Sequence, residues 1–247
     1  MPYSVPLLYD KPPPVIQEPD AIQERHARSI IPLKAENGRL RPEHAYALYG
    51  ELMSRIDGGV ADELHTDGFT PISQHLESGT NGAEWIVSTF DDDVSEAFLD
   101  AINDVREITL RDSGIKLSVS EAVIESGTDF EKLLSESADE PRPAWRRIEF
   151  TSPTGFKSEE QHVLFPTSDL ILKSLILKWN AACPDYLLED EELMKMLLSG
   201  VSISGYRLAS YDYRMKNQHI RSFTGSVTLR AKLSAPLEKL YEMLLRF

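Results

Sequence analysis

Cysteine is almost absent. The single Cys183 among 247 residues excludes an internal disulfide and a cysteine-based zinc site. Long apolar runs are missing too: none approaches the roughly 20 residues of a membrane span. The N-terminus has no basic region followed by an apolar core, so no secretory signal is expected. Positive charge is scarce, with 26 Lys+Arg against 40 Asp+Glu and a net charge of −14. That balance argues against a general nucleic-acid binder, which needs a basic footprint. Chemical signatures are also lacking. The chain carries no P-loop, no G-x-G-x-x-G, no H-E-x-x-H, no G-x-S-x-G and no paired His/Cys metal spacing. The common nucleotide, metal and triad chemistries therefore drop from the front rank. We expect no cofactor, no metal, no membrane association and a cytoplasmic location.

The charge is unevenly placed. Met1 to Glu140 holds 11 Lys+Arg against 28 Asp+Glu, whereas Pro141 to Phe247 holds 15 against 12. Between Ile203 and Lys232 the basic residues are Arg207, Arg214, Lys216, Arg221, Arg230 and Lys232, with Asp212 the one acid. Local potential, not net charge, governs a specific ligand.

Along the chain, residues 1–28 are rich in Pro, Gln and Glu and read as an extended or disordered arm. Ser29 to Ala35 reads as a strand, with Pro32 placing it at an edge or a bulge. Pro42 to Asp57 has a helical stripe of Ala45, Leu48, Tyr49, Leu52, Met53 and Ile56. A short helical piece from Val60 to His65 follows, then a loop from Thr66 to Gln74. Ala83 to Phe90 reads as a strand. Asp91 to Asp93 caps a helix over Val94 to Val105, and strands follow at Glu107 to Leu110 and Ile115 to Ile124. This is close to a ferredoxin-like unit with its order disturbed. An acidic helix from Asp129 to Ser137 and a proline-bearing boundary from Ala138 to Pro143 come next.

The second half repeats the order. Arg146 to Thr151 is a strand, Ser168 caps a helix built on Leu172, Leu175, Ile176 and Trp179, and Glu191 to Leu198 is a helix closed by Gly200. Val201 to Tyr213 and His219 to Leu233 are long strands joined near Lys216-Asn217 as a hairpin. Pro236 to Arg246 is an amphipathic helix on Leu237, Leu240 and Leu244. The expected architecture is α+β, two tandem ferredoxin-like sandwiches spanning 29–138 and 139–247, the second lacking its usual last strand.

Histidine alone has an unperturbed pKa suited to proton transfer near neutrality. His65 ends a short helix and opens a loop containing Gly68, so it either caps the last helical carbonyls or faces a ligand. His44 lies early in the first long helix, offset from its apolar face. His219 sits among Lys216 and Arg221.

Two runs in the second half carry more information. One is Phe150-Thr151-Ser152-Pro153-Thr154-Gly155-Phe156-Lys157, followed by Leu164-Phe165-Pro166 and a helix ending Lys178-Trp179-Asn180. The other is Phe223-Thr224-Gly225-Ser226-Val227, read as a strand starting at a glycine. Their order resembles the C-terminal half of the Cas-six family of CRISPR repeat-processing endoribonucleases. That resemblance implies the double ferredoxin-like fold and RNA cleavage without metal, by attack of a 2′-hydroxyl on the adjacent phosphate. It also implies that His65, after Leu64 and before Phe69 to Ser73, is the general acid or base, with a possible role for His44 beside it. CRISPR repeat RNA is the implied partner. Arg207, Arg214, Lys216, His219, Arg221, Arg230 and Lys232 would contact it, with Tyr206, Tyr211, Tyr213 and Phe223 as stacking faces.

The chain departs from the family pattern in three places. The loop after His65 carries Asp67 and no lysine. Met53 falls near a position where some members use tyrosine. The chain stops at Phe247, where members continue into a glycine-rich loop and a last strand. Either the sequence is cut short, or an effector protein or another chain completes the open sheet edge as a partner, or RNA processing has been lost. Other readings are a non-catalytic subunit that binds repeat RNA, and a protein-interaction module that docks through its acidic half.

Overall fold

The computed structural model describes residues 27–56, 58, 60, 64, 71–79, 82–125, 145–158, 161–215 and 218–246. Residues 1–26 of the expected arm, the acidic helix at 129–137 and the boundary at 138–143 lie outside them; Ala27 and Arg28, expected to end the arm, are strand instead.

The first sheet grows from β1 (Ala27–Ala35), whose alternation buries Ser29, Ile31 and Leu33 on one face. Helix α1 (His44–Met53) follows a turn in which the His44 and Ala45 N–H groups donate to the Arg41 and Pro42 carbonyls at 3.0 and 3.1 Å. Ala45, Leu48 and Leu52 form its buried stripe. Next come β2 (Ile72–Gly79) and β3 (Gly82–Thr89), paired in register from Ile72↔Thr89 to Gly79↔Gly82. Helix α2 (Asp92–Asn103) starts where the Asp91 carboxylate accepts from the Val94 N–H at 3.1 Å. Asp92 and Asp93 favour the positive helix end, and Val94, Phe98 and Ile102 face inward. Strands β4 (Glu107–Thr109), β5 (Lys116–Val119) and β6 (Val123–Glu125) complete it.

The sheet order is β2-β3-β1-β5-β4, with every pair antiparallel. Strands β1, β2, β3 and β5 with both helices form the ferredoxin-like unit. Pro32 lies in the centre of this sheet, not at its edge. Leu33 pairs with Val119 and Ile30 with Val123, so three steps along β1 match four along the partner. That extra residue is a bulge, and Pro32, which has no N–H to give, sits opposite it. The run expected as one strand from Ile115 to Ile124 is thereby split in two.

Three more sequence expectations need correction. β2 falls partly in the segment expected as a loop through Gln74. It went unseen because only Ile72 and Leu76 are apolar among its polar residues, while Gln74 earns its place by accepting from the Trp85 indole at 2.9 Å. α1 is shorter than Pro42 to Asp57, ending in a turn where the Arg55 and Ile56 N–H groups both donate to Leu52. In the second half the helix cap is Thr167, whose hydroxyl accepts from the Leu170 N–H at 3.2 Å.

That second half begins with β7 (Trp145–Thr154) and a small hairpin of β8 (Phe156–Ser158) and β9 (Gln161–Val163). Helix α3 (Ser168–Ala182), one 3-10 turn (Pro184–Tyr186) and α4 (Glu191–Gly200) follow. Trp179 is buried in the core and its indole donates to the Tyr186 carbonyl at 2.8 Å, while the Asn180 side chain bonds both backbone groups of Leu188. The Lys-Trp-Asn run therefore pins the chain that leaves the helix. β10 (Val201–Met215), β11 (Gln218–Ala231) and α5 (Ala235–Arg246) finish the half. The order β10-β11-β7 repeats strands two, three and one of the first sheet, and three strands are present among the described residues. Leu172, Ile176, Val227, Leu229, Leu237 and Leu244 form its core.

Candidate nucleic-acid interface

The long hairpin sets the faces on which the basic residues stand. Its register is regular from Gly205↔Thr228 to Met215↔Gln218, after an irregularity between Ile203 and Gly205. Alternation puts Arg207, Tyr211 and Tyr213 on one face and Tyr206, Leu208, Asp212 and Arg214 on the other. Paired residues share a face, so Ser226 and Ser222 stand with the first set, and His219 and Arg221 with the second. Along β11, Thr228 and Arg230 alternate onto the face of Ser226, with Arg147 of β7 opposite Thr228.

The expected RNA-binding set is therefore split. Arg207 and Arg230 share a face with Arg147. Arg214, His219 and Arg221 stand on the reverse with Asp212, whose carboxylate bonds His219 Nδ1 at 2.9 Å and lies 3.9 Å from Arg214 Nε. Lys232 follows β11, exposed, its N–H on the Gly200 carbonyl at 2.8 Å. Lys216 and His65 lie outside the described residues. The stacking residues divide as well. Tyr206 is exposed, with Phe165 edge-on at 5.1 Å. Phe223 offers no stacking surface: it is 2% exposed, with Phe150 edge-on at 5.0 Å and Phe156 stacked at 6.1 Å.

The face bearing Arg207 meets the start of α1. The Tyr211 hydroxyl donates to Glu43 Oε1 at 3.0 Å. Burial raises the Tyr213 phenol above its ordinary value, and the Glu43 charge adds to it. His44 follows Glu43 directly. Its Nδ1 accepts the Arg41 backbone N–H at 2.9 Å, so the neutral ring carries its proton on Nε2. Burial holds the His44 pKa below 6.5; Glu43 opposes that shift and Arg41 adds to it.

Beside this lies a groove of about 770 Å³ lined by Lys34, Arg39, Arg41, Glu77 and, from the second half, Thr151. It holds three cations against one carboxylate. Burial by itself would raise the Glu77 pKa, but hydrogen bonds from Thr151 and His75 and the charges of His75 and Arg28 leave it below the usual value. The His75 Nε2 to Glu77 Oε1 distance is 3.0 Å. None of these groove cations was expected from the sequence. The signal was there in Lys34, Arg39 and Arg41, three cations within eight residues of an acidic half. Among the described residues no group of three His, Cys, Asp or Glu side chains is placed to hold a metal ion, and no helix is long and apolar enough to cross a membrane.

Residues 148–247 match the family model described as CRISPR-associated endoribonuclease Cas6. The CRISPR-associated endoribonuclease Cas6 of Streptococcus thermophilus is 30% identical over 204 residues, covering 82% of this chain and 83% of that one. The chain belongs to the Cas6 family. A Mycobacterium tuberculosis Cas6 is 30% identical over 192 residues, and the chain spans 59% of its length. Among solved structures, a Cas6 product complex superposes with a TM-score of 0.74 at 21% identity, covering 89% of this chain and 91% of that one. Thermus thermophilus Cas6 gives 0.69 at 22% identity, covering 89% of each. The tandem ferredoxin-like fold expected from the sequence is thus the Cas6 fold. The motifs that carried the resemblance now have physical roles. Gly225 does not start a strand; it lies inside β11 at φ +120°, where an added Cβ would stand 2.1 Å from the Arg207 carbonyl oxygen. Only glycine lets β10 approach so closely.

Proposed function

We propose that this Cas6 chain is a metal-independent endoribonuclease that cuts CRISPR repeat RNA. The 2′-hydroxyl gives up its proton and attacks the adjacent phosphorus. The bond from phosphorus to the 5′-oxygen breaks, that oxygen takes a proton, and a 2′,3′-cyclic phosphate remains. Family membership supports the ribonuclease reading, and one observation carries the placement: the groove cations run up to Arg41 at the start of α1, which meets the hairpin face that also carries Arg207. There the lowered pKa keeps the His44 imidazole neutral near pH 7, the form a general base needs. His65 is the main proton-transfer residue in this reading, and His44 is the second. Lys34, Arg39 and Arg41 hold the phosphates along the groove, and Arg207 and Arg230 extend the track along the hairpin. The two structural units are residues 29–138 and 139–247, and an effector protein is a further partner.

A binding-only subunit is the second reading, favoured by Asp67 two residues after His65 in the sequence, whose negative charge opposes an incoming phosphate. Incubating the protein with labelled repeat RNA in excess EDTA separates the two. A single cut with a cyclic phosphate end, lost in His65→Ala while the gel shift stays, is the expected result. A shift without a cut supports the binding subunit. Neither cut nor shift points to the protein-docking module.

A further inference from the structure

Among the described residues, one side-chain hydrogen bond that joins the two halves lies at the proposed reaction site. Tyr211 and Glu43 are 168 residues apart in the chain. Tyr211 is firmly set on its own side, because the buried Ser222 hydroxyl donates to the Tyr211 carbonyl at 2.9 Å. Burial, followed by the hydrogen bond and charge of Glu43, raises the Tyr211 phenol, so it stays protonated and donates. On the other side, Glu43 Oε2 is buried and has no hydrogen-bond partner among the described residues, while Oε1 accepts from the tyrosine. A buried carboxylate tolerates loss of its donor poorly. No side-chain cap holds the first turn of α1. The His44–Arg41 bond and the Tyr211–Glu43 bond add to the backbone bonds of that turn.

We infer that Tyr211 is a positioning residue for the cleavage reaction: its hydroxyl, through Glu43, fixes the first turn of α1 against the hairpin face that carries Arg207. The RNA held by the hairpin and the imidazole of His44 then keep one relative placement. Tyr211 itself needs no contact with RNA. The inference rests on the proposed cleavage for its consequence, but the positioning can be read without any reaction.

Two measurements test it. The first is single-turnover cleavage of labelled repeat RNA at saturating protein, with the dissociation constant determined in parallel, for wild type, Tyr211→Phe, Glu43→Ala and the double variant. Tyr211→Phe is expected to cut about 10- to 100-fold more slowly, the scale of a small misplacement, with affinity within about twofold. The double variant should be no slower than the slower single, because both changes break one contact. A merely structural contact would lower the melting temperature and leave the saturating rate unchanged. The second measurement is the NMR titration of the histidine rings in the RNA-free protein. In Tyr211→Phe the His44 titration should move toward 6.5 as the turn loosens. An unchanged His44 titration would overturn the inference whether or not the protein cuts RNA. A shifted His44 in a protein that never cuts would retain the positioning contact and remove the proposed cleavage.

Discussion

The two halves of this chain share one plan and differ in the length of one hairpin. In the first half the middle strands β2 and β3 have 8 residues each; in the second, β10 and β11 have 15 and 14. At about 3.3 Å per residue the extension adds roughly 20 Å beyond a strand of ordinary length. The added part of β10 and β11 carries Tyr211, Asp212, Tyr213, Arg214, His219 and Arg221. A ferredoxin-like unit buries its sheet under two helices and needs no such length. The lengthened hairpin reaches the first half instead, and Tyr211 meets Glu43 there. The halves also differ inside. Arg28–Glu125 is a surface pair of the first half, whereas Arg146–Glu242 in the second has a glutamate side chain only 4% exposed.

The largest effect should come from that last pair. Glu242→Ala leaves Arg146 without its bonds of 3.0 and 2.5 Å and should cost about 3 kcal/mol in urea unfolding, the low end for a buried pair because Arg146 reaches solvent. Glu125→Ala should cost under about 1 kcal/mol. Equal losses would erase this difference between the halves.

Gly225→Ala comes next. The positive φ and the 2.1 Å approach to Arg207 force β10 away, at a cost of at least about 2 kcal/mol. Gly205→Ala is the control: its nearest neighbour atoms lie 3.9 Å away on Thr228. A tolerated Gly225→Ala would mean that the hairpin is not held this closely.

A smaller effect sharpens the contrast between the hairpin faces. Arg207→Ala should weaken repeat-RNA binding and reduce the salt slope by about 0.7, one phosphate contact on a single strand. Arg214→Ala should leave both nearly unchanged, because Asp212 already engages that face. Similar losses from both substitutions would place RNA across both faces.

The smallest effect concerns His44. Its folded pKa lies below the unfolded 6.5, so the unfolded chain binds the proton more tightly. The resulting stabilisation is full above pH 6.5 and fades as pH falls through the folded value. His44→Asn should flatten that part of the stability–pH curve.

The plan of the fold was legible because its signals are local. The stripe Ala45, Leu48, Leu52, the Asp91 cap and the apolar run Trp85-Ile86-Val87 each declare an element within a few residues. β2 was not legible, since Gln74 is justified by Trp85 on another strand. The faces of the hairpin were not legible either. They depend on which residues pair across the hairpin, and a one-residue shift exchanges the two faces of a strand. The six basic residues between Ile203 and Lys232 therefore read as one patch, although Asp212 gathers Arg214 and His219 on the reverse side. Phe223 read as a stacking face because its partners, Phe150 and Phe156, lie some seventy residues earlier. Of the proposed site, the sequence offered His65, His44, Arg207 and Arg230. It hid the groove cations inside an acidic half, and it offered Tyr211 as a stacking face rather than as the residue that joins the halves.

The most direct measurement is a crosslinking map of repeat RNA on the wild-type protein, with photoreactive uridines placed along the RNA and the attached peptides identified by mass spectrometry. Crosslinks should fall on the peptides that hold Lys34 to His44 and Arg207 to Tyr213. Crosslinks concentrated instead on the α3–α4 surface or around Phe165 and Tyr206 would contradict an RNA path that runs from the hairpin to the first turn of α1.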